Sequence, residues 1–382
     1  MHWGRRPLLR KAGGRNFDDL LSLEAIDELL SRRGLRTPFL RVVKAGSAVD
    51  AKRFTRPGGI GAEIGDQLAD DRLLGLLDDG ATLVLQGLHR VWPPLIDFAG
   101  QLATDLGHPV QVNAYVTPPS TQGLPAHYDV HDVFVLQTAG QKRWLVHEPV
   151  HSLPLRSQPS TDRRAEVAQA AAAPPVLDVV LSPGDALYLP RGWLHAAQAL
   201  GDVSAHLTIG VHPVTRYALV EALCALAADE PALRQSLPLG VDLGDPGALA
   251  DELAETVRAL VKRAEGATAA EVAARVRQAV WPGSRPAPLA PLAQAAAIRE
   301  LAPGSVVRAR EHVRHQLSTV GDRVVLELAD RTVSLPAAVR PAVDLLLGGA
   351  SVTVGELPGL DPDECLVLVR RMLRESVVVP VA

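Results

Sequence analysis

His127 and Asp129 stand two residues apart in the run His127-Tyr128-Asp129. His195 closes a later segment that opens with Pro183-Gly184-Asp185 and ends Pro190-Arg191-Gly192-Trp193-Leu194-His195. Two neutral imidazoles and one carboxylate can cover one face of an octahedral metal ion, leaving the other face open for a co-substrate and O2. That donor set is the facial triad used with non-haem Fe(II). On a strand, residues i and i+2 project to the same side, so His127 and Asp129 reach one ion together and His195 must arrive from another strand. A lone histidine at 195 would read as a satisfied core residue. The His-x-Asp pair upstream reverses that preference.

A second requirement is a cation for the far end of an acidic co-substrate. Lys142 follows one expected strand and a Thr138-Ala139-Gly140 turn, and an antiparallel return brings its side chain back toward the pocket. A buried ammonium there would pair with a carboxylate rather than remain orphaned. Arg143 is the alternative, since strand alternation lets one of the two point inward; Trp144 then shares the face of Lys142. His131 lies on the alternation of His127 and Asp129 and offers a different His pair. His147, His151, His206 and His212 read as surface residues or as supports behind the ligands. No glutamate follows His127 before Glu148, which argues against a metal cupin built on three histidines and a glutamate.

The elements that must position these residues begin with an amphipathic helix over residues 17–33, where Leu20, Leu21, Leu23, Ile26, Leu29 and Leu30 fall at helical spacing. Strands are expected at 39–43 and 81–86, with a helix from Trp92 to Leu106 that starts on a Pro-Pro pair. From Val110 to His212 the texture is β: strands at 110–116, 133–136, 142–147, 176–181, 186–189 and 204–211, with a helical surface insertion over 157–173. Short strands at this density, punctuated by Gly and Pro, predict a double-sheet jelly roll. Helices follow at 217–228, 248–263 and 269–280. The proline-rich stretch 282–291 reads as a linker. Beyond it come a hairpin (324–328 with 331–335), helices at 338–347 and 362–375, and a terminal strand at 377–379, an order that resembles a winged helix.

The chain has 382 residues, 47% hydrophobic and 21% charged, with a net charge of −4. That charge gives no global electrostatic reason to bind nucleic acid. From Glu300 to Ala382, nine arginines and no lysine face eleven acidic residues, so the C-terminal part lacks the basic face that phosphate contacts need. No apolar run reaches the ~18 residues that span a bilayer. The basic N-terminus lacks an apolar segment behind it, so no secretory signal is expected. Cys224 and Cys365 are the only cysteines and suit a reducing cytoplasm.

The runs Asn113-Ala114-Tyr115-Val116-Thr117-Pro118, His127 through Gln137 and Gly140-Gln141-Lys142-Arg143-Trp144 resemble the JmjC-type ribosomal oxygenases. The likeness extends over nearly the whole chain, from Trp3…Arg6-Pro7-Leu8-Leu9 onward. It implies an α+β chain: a cupin/JmjC double-stranded β-helix at 1–215, a helical dimerisation region at 216–290 and a winged-helix-like domain at 291–382. By the same resemblance, His127, Asp129 and His195 bind Fe(II) and Lys142 holds 2-oxoglutarate. Asn113, Tyr115 and Thr208 line the pocket, and O2 completes the reaction. Gly210 departs from the small hydroxyl residue found in some relatives. The family's substrates are ribosomal proteins hydroxylated on arginine or histidine. A cytoplasmic homodimer acting on a protein is therefore expected. A hydroxylase of a small molecule or peptide natural product, and a DNA-binding or scaffold protein with a vestigial barrel, are the alternatives.

Overall fold

The structure, a computed structural model, describes residues 2–61, 63–119, 121 and 123–381. It forms two compact units, Met1–Pro213 and Val214–Ala382.

The first unit is built on one nine-stranded antiparallel sheet. Its main strands are β1 (Leu8–Arg10), β2 (Leu40–Lys44), β3 (Thr82–Leu85), β4 (Val110–Thr117), β5 (Asp132–His147), β6 (Leu177–Leu181), β7 (Ala186–Leu189) and β8 (Leu194–Val211). The order along the sheet is β1-β7-β5-β8-β4-β3-β2, with β6 beside the second half of β5 and a two-residue strand, Ser47–Ala48, at the β2 edge.

Two long strands make the fold. β5 and β8 run side by side for their whole lengths, and their register shifts between Leu200 and His206. At that bulge Gly140 adopts a φ of +59°, and a Cβ there would stand 2.2 Å from the Val203 carbonyl oxygen. Only glycine fits. The Gln137 side chain bridges the irregularity, donating to the carbonyls of Ala139 and Gly140 and to Ser204 Oγ. The bulge bends both strands. The first half of β5 therefore pairs with β7 and the second half with β6. Thr138-Ala139-Gly140 is thus not the expected turn, and Lys142 reaches the interior by continuation of a bent strand rather than by a hairpin return.

Helices cover one side. The first, α1 (Leu23–Arg32), starts later than residue 17 because Ser22 caps it, accepting from the Ala25 N–H at 3.2 Å. Next come α2 (Asp70–Asp78) and α3 (Pro93–Leu106). The latter has proline in its first turn and Gly107 at φ +69° after its end. They pack Leu29, Leu73, Leu76 and Leu95 onto Leu83, Leu85, Val112 and Ala114 of the sheet. Strand β1 was not expected. It is fixed by Asp185, which accepts from Lys11 Nζ and the Ala12 N–H, and by Trp3 stacked 5.6 Å from Tyr188. The insertion carries a short helix, α4 (Arg164–Ala171).

The second unit opens with α5 (Arg216–Ala227), α6 (Ala250–Glu265) and α7 (Ala269–Val280), followed by α8 (Pro291–Arg299). Strands β9 (Val306–Ala309), β13 (Val352–Thr353) and β14 (Val378–Pro380) form a small sheet; β10 (His315–Val320), β11 (Arg323–Leu328) and β12 (Thr332–Pro336) form another. Helices α9 (Arg340–Leu347) and α10 (Pro362–Arg374) share one hydrophobic core with these strands. An Asp361/Glu364 capping box starts α10, and Cys365, Leu368, Val369, Met372 and Leu373 form its buried face. Strands β9 and β10 have no counterpart among the elements expected from periodicity. Among the described residues, no helix is long and apolar enough to cross a membrane.

Candidate active site

The triad residues converge. One donor atom from each of His127, Asp129 and His195 lies within 4.8 Å of the others, the only such acidic or imidazole grouping among the described residues. His127 and Asp129 do not sit on a regular strand. His127 instead forms a single antiparallel bridge with His195, each donating its N–H to the other's carbonyl. The imidazole centroids are consequently 4.4 Å apart. Gly192, at φ +89°, donates its N–H to the Asp129 carbonyl, and a Cβ there would strike the His151 carbonyl at 2.6 Å. This turn clamps the Asp129 backbone beside His195.

The imidazoles are oriented for ligation. His127 Nδ1 donates to the Pro125 carbonyl at 2.9 Å, and His195 Nδ1 donates to the Trp193 carbonyl at 3.1 Å. Each ring thus keeps a free Nε2, and His195 Nε2 stands 3.6 Å from Asp129 Oδ2. Backbone carbonyls behind Nδ1 are the usual means of fixing a metal-ligating tautomer. Burial and the neighbouring His127 hold His195 well below its ordinary pKa, so it is neutral. Burial opposes ionisation of Asp129, but His127 and His195 outweigh it and keep the carboxylate charged. Two imidazole nitrogens and one carboxylate oxygen suit a divalent ion such as Fe(II).

Behind the triad lies a cavity. It is lined by every pocket residue expected from sequence: Asn113 and Tyr115 from β4, Lys142 from β5 and Thr208 from β8. Trp144 follows Lys142 on the same face, whereas Arg143 points outward to Asp178. Lys142 is 2% exposed, and its ammonium donates to Thr117 Oγ1 at 2.9 Å. Among the described residues, no carboxylate pairs with it. Burial pushes its pKa down to about 7. A buried ammonium with a single hydroxyl partner is set up to receive an anion. Asn113 Oδ1 accepts from the Gly87 N–H, which leaves its amide N–H groups to the pocket. Burial pushes Tyr115 up to about 12, so the phenol stays protonated.

Two polar lining residues were not placed in the pocket from the sequence. Gln111 precedes Asn113 and Tyr115 on their alternation, and His206 precedes Thr208; that period was the available signal. His206 stacks on Tyr115 (5.1 Å, 8° between planes) and meets Trp144 edge-on at 5.4 Å. Burial, with Lys142 adding to it, keeps His206 far below its usual pKa. It belongs to the pocket, not to the surface. His131 also faces the cavity, beside His212, while His147 is buried away from it.

This sheet and site fall in a JmjC domain: the JmjC domain family matches residues 97–219. A Drosophila persimilis protein named bifunctional lysine-specific demethylase and histidyl-hydroxylase NO66 is 32% identical over 253 residues, covering 63% of this chain and 34% of that one. Chicken (Gallus gallus) ribosomal oxygenase 1 is 31% identical over 246 residues, covering 62% and 39%. The chain thus spans little more than a third of the length of these relatives. Among solved structures, the Escherichia coli ribosomal oxygenase YcfD matches with a TM-score of 0.53 at 18% identity, over 100% of this chain and 96% of that one. The same protein in complex with cobalt and 2-oxoglutarate matches with a TM-score of 0.52. Residues 97–219 are thus a JmjC domain, and the chain is similar to these ribosomal oxygenases.

Proposed function

We propose that this chain is a 2-oxoglutarate- and Fe(II)-dependent oxygenase that hydroxylates a protein side chain, an arginine or histidine of a ribosomal protein. The observation that carries the reading is the juxtaposition of three converging metal donors with a buried, carboxylate-free Lys142 in one cavity. His127 and His195, through Nε2, and Asp129, through its carboxylate, would hold the metal. Iron and 2-oxoglutarate together supply the oxidative chemistry with O2 that hydroxylates a C–H bond, and the protein supplies orientation and exclusion of water. Lys142 and Thr117 would bind the far carboxylate of 2-oxoglutarate. The protonated Tyr115 and the Asn113 amide offer hydrogen bonds along the co-substrate, and Thr208 adds a hydroxyl on the facing strand. Trp144, Leu124 and Val133 wall the pocket with apolar surface.

In the second unit we read residues 216–290 as a dimerisation region and 291–382 as a winged-helix-like domain. Leu253, Val257 and Val261 support the first reading, forming an exposed apolar stripe along α6. The strand pairs between α8, α9 and α10 support the second. The acidic excess of the C-terminal part favours protein contacts over DNA, and a reducing cytoplasm suits the two free cysteines.

The test is succinate release from 2-oxoglutarate by anaerobically iron-loaded protein, with and without a pool of ribosomal proteins, followed by mass spectrometry. Stimulated turnover with one oxygen atom added to an Arg or His confirms the reading. Turnover with no modified protein moves the assignment to a small-molecule substrate. No turnover despite stoichiometric iron removes it.

A further inference from the structure

The ladder between β5 and β7 stops just short of the turn that delivers His195. Its last rung pairs Val133 with Leu189. The next residue on β7's side is Pro190, which has no N–H to continue the ladder. On the facing strand Asp132 precedes Val133, and its side chain takes over. The carboxylate is 1% exposed; Oδ1 accepts from the Arg191 N–H at 3.4 Å, and Oδ2 lies 3.9 Å from the Arg191 guanidinium.

The carboxylate is itself held in place. The Tyr188 hydroxyl donates to Asp132 Oδ1 at 2.8 Å and accepts from the Gly4 N–H at 2.8 Å. A hydroxyl that accepts from Gly4 has its own hydrogen for Asp132, so the contact has one orientation. Trp3, stacked on the Tyr188 ring, closes it from outside.

The two stretches tied by Asp132 are the two that carry the metal donors. Backbone bonds already join His127 to His195 and Gly192 to Asp129; the Asp132 carboxylate makes a further tie, three residues beyond Asp129 and four before His195. Asp132 is not among the residues lining the cavity, so it acts through the backbone and not on the metal. A buried Asp–Arg pair adds little stability over apolar side chains of the same volume. What it supplies here is a fixed relation between two segments, and partners behind the ligands tune metal affinity through such orientation.

We propose that Asp132, set by Tyr188, is a positioning residue for the metal site: it fixes the 190–195 turn against residues 127–132 and so sets how His195 meets His127 and Asp129. This rests on the metal-binding reading of the triad and goes beyond it.

The test is Co(II) binding by the full, metal-free chain under anaerobic conditions, read as a dissociation constant and as the visible ligand-field absorption of the saturated protein. Asp132→Ala raises the Kd about 10- to 100-fold and changes the absorption spectrum. Tyr188→Phe removes one hydroxyl, keeps the ring and moves both readouts the same way, by about threefold in Kd. Asp132→Asn keeps an oxygen for Tyr188 and falls between wild type and Asp132→Ala. Leu83→Ala is the control: a truncation in the helix–sheet core, it lowers the unfolding midpoint and leaves the Kd and spectrum at wild-type values. Wild-type Kd and spectrum in Asp132→Ala and Tyr188→Phe overturn the inference. So does an equal loss in Leu83→Ala, which would make the effect one of stability alone. If Asp132→Ala does not fold, Tyr188→Phe and Asp132→Asn decide by the same criteria. A wild-type protein that takes up no Co(II) removes the metal-binding reading itself, and this inference with it.

Discussion

Replacing Lys142 with methionine keeps the length of the side chain and removes its charge, and the burial of the ammonium determines the effect. The ammonium is 2% exposed, has Thr117 as its polar partner and is pushed from an ordinary 10.5 to about 7 by burial alone. Between those two pH values the unfolded chain holds the proton and the folded chain does not. The contribution of Lys142 to the stability of the ligand-free protein therefore rises with pH across this window, by up to about 1.4 kcal/mol per pH unit, and is constant below it. Lys142→Met abolishes that slope in urea titrations. Bound 2-oxoglutarate reverses the effect, because its carboxylate favours the charged amine. At pH 8, close to one proton is taken up per 2-oxoglutarate bound, measurable by calorimetry in buffers of different ionisation enthalpy. Leaving the carboxylate without its buried partner costs about 3–4 kcal/mol, a 2-oxoglutarate Kd raised roughly 10²- to 10³-fold. The assay is titration of the Mn(II)-loaded protein under anaerobic conditions. A Lys142→Met protein that binds within about threefold of wild type, or wild type that takes up no proton at pH 8, refutes the reasoning.

Mn(II) at a hundred times its Kd should stabilise the wild type by about 2.7 kcal/mol. That increment disappears in His195→Ala and Asp129→Ala, as read from thermal melts with and without metal. Arg143→Ala leaves the 2-oxoglutarate Kd unchanged, because this side chain reaches Asp178 on the outside; a marked loss would mean that Arg143, not Lys142, carries the contact. Gly184→Ala places a Cβ 1.9 Å from the Arg15 carbonyl at a φ of +88°. It should cost about 3 kcal/mol or more in urea unfolding, and a wild-type midpoint would show that the N-terminal segment yields instead. Leu83→Ala, at a fully buried site between helices and sheet, should cost about 2–5 kcal/mol.

Residue type and short-range spacing determined the chemistry by themselves. Two histidines and an aspartate form a metal donor set wherever they meet; strand alternation let one of Lys142 and Arg143 point inward, and the resemblance to ribosomal oxygenases implied Lys142, Asn113, Tyr115 and Thr208 in the pocket. Most elements were also legible, because capping and periodicity act within a few residues. What the tertiary structure decided was how distant segments meet. Gly140 looks like a turn residue, yet a bulge against Val203 makes it the bend of a continuous strand. The His127–His195 bridge, the carbonyls of Pro125 and Trp193 that turn each Nε2 inward, and the contact of Gln111 with His131 over Gly210 all join residues from separate strands and loops. No local pattern encodes such contacts; they exist only once burial of the sheet has fixed its register.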